Sequence, residues 1–234
     1  TMIVLLAIGF FVFFPAYIDE QTNKVHPSAL PEVTEQARVL HAQLFIGDWH
    51  SDTLLWKRDL MDKHDYGHMD VPRLQQGNVA LQMFTTVTKS PDGINYEENS
   101  TDASDNITKL ALASLWPTNT WQSLTERALF QASKAVELTV EFPESASLVT
   151  SKSELSQFLE QRKANPQLLG ILLGTEGSHA LDGDLTNIQR LFDSGFRMMS
   201  LQHFFDNKLG GSLHGESGEG LTEFGREAIQ QMLS

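Results

Sequence analysis

LFIGDWHSDTLLW, residues 44–56, runs from an apolar stretch straight into a histidine and an aspartate two positions apart, His50 and Asp52. Residues 44–47 have the length and apolar character of a buried strand. In a parallel sheet the two polar side chains would fall just past that strand's C-terminal end, where α/β folds carry their functional loops. Side chains at i and i+2 of an extended backbone point the same way, so one imidazole nitrogen and one carboxylate oxygen could meet a single ion. A loop or turn cap produces the same pair by chance, and the rest of the chain has to decide between the two.

Three further apolar runs read as strands: residues 79–86, 168–173 and 197–201. Helical patterns lie between and after them. Residues 121–140 carry an apolar stripe through Trp121, Leu124, Ala128, Leu129, Ala132, Ala135 and Val136. Residues 151–166 open on a capping box of Ser151 and Glu154 and stop at Pro166. Residues 184–195 start at Asp184 and end at Gly195, and Thr222 can cap a last helix with Phe224, Ala228, Ile229 and Met232 on its apolar face. Strands alternating with helices predict βα units and a parallel sheet. About four such units fit, whereas a closed (β/α)₈ barrel takes about 250 residues. A small open α/β sheet and the first half of a barrel both satisfy this pattern.

The polar residue at the strand end recurs. Glu176 follows the third run in LLGTEGSH, and His203 follows the fourth in MMSLQHFFDN. Three of the four predicted strands thus deliver a metal-competent side chain at the same end. Singly, Glu176 also fits a helix-start carboxylate and His203 a core histidine. His64 and His68 have i, i+4 spacing but a glycine between them, and with His179 and His214 they read as non-ligands. Asp70, before Val71 and Pro72, reads as a cap. The stretch 89–106 is polar enough to be locally mobile, and GGSLHGESGEG lacks the Lys-Ser/Thr ending of a phosphate loop and reads as a flexible loop on the active-site side.

Thirty acidic against seventeen basic residues give a formal charge of −13, which repels phosphate backbones, so nucleic acid is not an expected partner. The chain has no cysteine, which excludes disulfides, thiolate nucleophiles and Cys-zinc sites. Any metal must be held by His, Asp and Glu, donors that suit zinc, manganese or iron. Residues 1–17, apolar almost throughout from Met2 to Phe14, read as a signal peptide or membrane anchor, with a buried N-terminal strand or helix as the alternative. Residues 18–34, with Pro31, read as a linker and 35–234 as the folded part. The expected location is exported: periplasmic or membrane-anchored, with membrane association through residues 1–17.

The pieces GDWHSDTLLW, DYGHMDVPRLQQGNVALQMF, GILLGTEGSHAL, FDSGFRMMSLQHFFDN and LTEFGREAIQQM, in this order and spacing, resemble the membrane dipeptidase (renal dipeptidase) family of zinc peptidases. The resemblance covers residues 44 to the end. It implies a (β/α)₈ TIM-like barrel, of which this chain supplies roughly the first half, and a site with two Zn²⁺ ions. His50 and Asp52 resemble the ligands of one zinc and Glu176 the carboxylate that bridges both. His203 resembles the catalytic, substrate-binding histidine that is not a ligand. Gln202 and Phe204 flank it where the family often has Thr and Asn, which bears on the shape of the substrate pocket.

The implied activity is zinc-dependent hydrolysis of dipeptides by a metal-bridging hydroxide, with a homodimer among the expected assemblies. The family's later ligands, its substrate-binding arginine and its late aspartate come from strands beyond Ser234, so residues 1–234 alone are expected to be inactive and to bind one zinc weakly. The alternatives are a related metal-dependent amidohydrolase, acting on other amides including β-lactams, and a non-catalytic membrane-tethered binding homologue.

Overall fold

A computed structural model describes residues 2–29 and 31–233; Thr1, first residue of the expected leader, lies outside them. The elements follow in chain order as helix α1 (Met2–Thr22), α2 (Glu35–Gln43), strand β1 (Ile46–Asp48), α3 (Val71–Gln76), β2 (Val79–Thr86), α4 (Asn106–Ala113), α5 (Leu124–Glu141), β3 (Ala146–Leu148), α6 (Lys152–Ala164), β4 (Leu169–Thr175), α7 (Thr186–Asp193), β5 (Phe196–Met199) and α8 (Glu223–Leu233). The strands pair in parallel in the order β1-β2-β4-β3, with β5 also beside β4. This is the α/β class with a parallel sheet that the alternating pattern predicts, and β1, β2, β4 and β5 fall on the four apolar runs.

The helix starts are set by local chemistry. Asp70 accepts from the N–H of Arg73 at 2.8 Å and opens α3. Asp105 accepts from Ile107 and Thr108 and opens α4. Ser151 accepts from the N–H of Glu154, while the Glu154 carboxylate reaches back to the N–H and hydroxyl of Thr150 at 2.7 Å. Asp184 takes the N–H and hydroxyl of Thr186 just ahead of α7. Each satisfies N–H groups that a helix start leaves without an intrahelical partner.

The chain forms two compact units, Thr1–Phe84 with Ala135–Leu172, and Thr85–Lys134 with Leu173–Ser234; β2, β4 and α5 each contribute to both. In the first unit β1 runs beside β2 (Gly47 opposite Leu81, Asp48 opposite Gln82) and β3 beside β4 (Ser147 opposite Gly170). Leu81, Val149, Phe158 and Leu168 form a core there, with Leu155 and Leu172 packed on it. Burying Phe158 contributes about 2–3 kcal/mol. Gly170 makes the approach of α6 to the sheet possible, because a Cβ there would lie 2.5 Å from Leu81 Cδ2 and 3.0 Å from Phe158 Cζ.

Within the same unit the last turn of α1 is packed on the loop after β1. Asp19 is 3% exposed and lies 2.9 Å from Arg58 Nε, and the N–H of Gly67 donates to the Asn23 carbonyl at 2.7 Å. Burial raises the Asp19 carboxyl above its usual range despite Arg58. Phe13 and Tyr17 on α1 are exposed. Among the described residues no helix is long and apolar enough to cross a membrane.

In the second unit the end of β4 pairs with β5, Gly174 opposite Met198 and Thr175 opposite Met199. Arg127, 1% exposed, is the centre of its polar core. Its guanidinium donates to the carbonyls of Thr120, Thr88 and Trp121, to the Thr108 hydroxyl and to the Asp105 carboxylate at 2.6 Å. One side chain therefore holds together the segment after β2, the start of α4 and the turn before α5. Burial by itself would raise the Asp105 carboxyl, but the Ser90 N–H, the Thr108 hydroxyl, Arg127 and the Ile107 N–H hold it below the usual carboxylate range.

Candidate metal centre

The residues singled out from the sequence stand at C-terminal strand ends, two in each unit. In the first unit His50 and Asp52 follow β1. The His50 N–H donates to the Asp48 carboxylate at 3.0 Å, and buried Thr53 and Leu54 anchor the short helical turn, Thr53–Leu55, that follows Asp52. His50 Nε2 and Asp52 Oδ2 lie 3.3 Å apart, with the imidazole half exposed. Two donors about 2.1 Å from a zinc at a tetrahedral angle are themselves about 3.4 Å apart. The pair therefore has the separation of two ligands of one ion.

In the second unit Glu176 follows β4 and His203 follows β5. Glu176 is 9% exposed, and its Oε1 lies 2.6 Å from His203 Nε2. A chain of small polar groups fixes this end of the sheet. The Glu176 N–H donates to the Thr86 carbonyl at 3.1 Å, and the Gly177 N–H to the Ser200 hydroxyl at 2.6 Å. Ser200 Oγ donates to the Thr175 carbonyl, and Ser178 Oγ to the Ser200 carbonyl at 2.7 Å. Ends of β2, β4 and β5 are thus tied by hydrogen bonds that an open loop would give to water, which fixes the backbone that carries Glu176.

Gly177 is required twice over: its φ is +75°, and a Cβ would lie 3.2 Å from His203 Cβ and 3.0 Å from the His179 ring. His179, expected to be a non-ligand, stacks on Phe205 with centroids 4.1 Å apart and planes at 9°. Its Nε2 is buried with no hydrogen-bond partner. Burial, with Lys89 and His203 nearby, lowers its pKa to about 4, so the ring is neutral. Sequence reasoning missed Ser178, Ser200 and Phe205; the hydroxyls flanking Glu176 and His203 in GTEGSH and MMSLQH were the available signal. His64 Nε2 donates to the Asp59 carbonyl at 3.1 Å, and His214 Nδ1 donates to the Tyr96 carbonyl at 2.7 Å.

A family model described as membrane dipeptidase (peptidase family M19) matches residues 34–233, and the chain belongs to that family. Among solved structures it is similar to a probable dipeptidase, PvdM, from Pseudomonas aeruginosa, at 14% identity and a TM-score of 0.57 over 84% of this chain and 46% of that one. It is also similar to an amidohydrolase from the same organism, at 15% identity and a TM-score of 0.53 over 83% of this chain and 45% of that one. A third is a metallopeptidase from Rhodobacter sphaeroides liganded with a phosphinate mimic of L-Ala-D-Ala, at 17% identity and a TM-score of 0.50 over 80% of this chain and 55% of that one. These likenesses show the fold. The chain spans about half the length of the structures it matches.

Proposed function

We propose that the protein of which this chain is part is a zinc-dependent dipeptidase, with His50, Asp52 and Glu176 as metal ligands and His203 as the substrate-contacting histidine. The observation that carries the reading is the match to the membrane dipeptidase family over residues 34–233, on a chain whose acid and imidazole groups sit at the ends of β1, β4 and β5. One imidazole and two carboxylates are a donor set suited to a hard-to-borderline divalent ion. When bound, zinc supplies Lewis acidity toward the scissile carbonyl and lowers the pKa of water toward neutrality.

The chain's own residues then have separate tasks. His50 and Asp52 orient each other, the backbone N–H of His50 being pinned to Asp48. Glu176, whose backbone is held by Thr86 and whose neighbour Gly177 is held by Ser200, presents a carboxylate that meets His203 Nε2 at 2.6 Å. His203, 38% exposed at its side chain, is the group able to reach a substrate and donate to the oxygen that gains charge as the amide is attacked. We place the protein on the exported side of a membrane, with the exposed apolar residues of α1 against lipid.

The test is hydrolysis of a dipeptide panel by the full-length protein before and after chelation and zinc return. Turnover lost on chelation and recovered with zinc supports the proposal. Chelator-resistant turnover, or none with zinc bound, would sink it.

A further inference from the structure

Beside His203 the chain carries a cluster of rings that the metal site does not use. Phe204 stacks on His214 with centroids 4.8 Å apart and planes at 20°, and Tyr96 meets Phe204 edge-on at 5.4 Å. The His203 ring meets the edge of Phe204 at 4.6 Å, so the cluster is continuous with the proposed substrate-contacting group. Apolar surface is open along it: Tyr96 is 80% exposed and Leu213 is 91% exposed.

The cluster is fixed from beneath. Asn99 is 4% exposed, and its Nδ2 shares protons among the carbonyls of Asn95, Phe204 and His214 at 2.8, 3.0 and 3.2 Å. Its N–H donates to the same His214 carbonyl, and its Oδ1 accepts from Asn95 N–H. Asn95 in turn accepts from the N–H groups of Glu97 and Glu98. The polar stretch expected to be mobile is therefore tied to the loop after β5 by a buried amide. Asn99 opens the sequence Asn99-Ser100-Thr101, which has the form of an N-glycosylation acceptor, and a glycan on its Nδ2 would dismantle this network.

Exposed aromatic rings leave apolar area in water; here a buried hydrogen-bond network holds them in one orientation next to the proposed substrate-contacting histidine. We propose that Tyr96, Phe204 and His214 form the specificity wall for the substrate side chain, favouring an aromatic or large apolar residue. Glu97, Glu98 and Glu216, exposed around the wall, disfavour an acidic one. This rests on the dipeptidase reading of His203 and adds to it the class of side chain that is taken.

The test uses the full-length zinc-loaded protein and three probes: glycyl-phenylalanine, glycyl-alanine and glycyl-aspartate. Both kcat/KM and the Kd of the matching non-hydrolysable phosphinates are measured. The expected parent preference for phenylalanine over alanine is about tenfold or more, with aspartate poorest. Tyr96→Ala, at an exposed position that does not bear on folding, and Phe204→Ala should bring phenylalanine to within about threefold of alanine. Equal handling of the three probes by the parent, an unchanged preference in both variants, or no detectable binding of any probe would overturn the proposal. Selective binding without turnover would leave the wall in place and remove the dipeptidase reading instead.

Discussion

Replacing Arg127 by methionine keeps most of the side-chain volume and removes a cation that is 2% exposed at its side chain, paired with Asp105 at 2.6 Å. Breaking one partner out of a buried ion pair costs about 3–5 kcal/mol, because the remaining charge stays in a low-dielectric site. Asp105 would keep the N–H groups of Ser90, Ile107 and Thr108 and the Thr108 hydroxyl, which places the loss near the lower end, about 3 kcal/mol. The carbonyls of Thr88, Thr120 and Trp121 would each lose a donor. For a chain of this size each kcal/mol corresponds to about 2–4 °C, so the expected fall in Tm is about 6–12 °C. Differential scanning calorimetry, with urea titration as a second probe, reads it.

The acid side provides an independent check. The Asp105 carboxyl is held below its usual range, so its contribution is present above the unfolded value and is lost as pH falls through the folded one. Arg127→Met should reduce that acid-side loss. A Tm change under about 3 °C, equivalent to roughly 1 kcal/mol, would refute the claim that this network fastens the segment after β2.

Gly170→Ala should destabilise the first unit by about 1–3 kcal/mol, since the added methyl meets Leu81 Cδ2 at 2.5 Å in a packed core; an unchanged urea midpoint would show that α6 can move away. In the metal-free chain, neutral His179 should make stability fall as pH drops from about 6.5 toward 4, because the unfolded chain takes up a proton there that the folded chain refuses. The full loss is about 3 kcal/mol. His179→Phe should flatten that part of the pH–stability curve, and an unaltered slope would mean that the ring is not a buried neutral base.

The fold was legible where apolar runs were long. The run at 79–86 coincides with β2, and the strands near 46, 169 and 196 lie within two residues of their predicted starts. β3, only Ala146–Leu148, is too short to leave a pattern and exists through its pairing with β4. α4 was hidden behind the polar stretch before it, although Asp105 ahead of Ile107 and Leu110 was a readable cap. The order of that polar stretch was illegible because it comes from Asn99 reaching residues 204 and 214, more than a hundred positions away. Arg127 adjoins the apolar stripe of residues 121–140, and nothing local announces a buried guanidinium. His50, Asp52, Glu176 and His203 could be singled out because βα folds put functional groups at C-terminal strand ends, a rule of topology that needs no side-chain detail.

In the proposed site, side chains from different strand ends hold one metal ion. Zinc affinity, measured by competition with a chromophoric chelator on the parent, His50→Ala, Asp52→Asn and Glu176→Gln with folding checked by circular dichroism, tests it most directly. Each substitution is expected to weaken binding by more than about tenfold while the fold is kept. Parent-like affinity in Glu176→Gln, with His50→Ala impaired, would contradict a shared ion and leave only the β1 pair as a binding site.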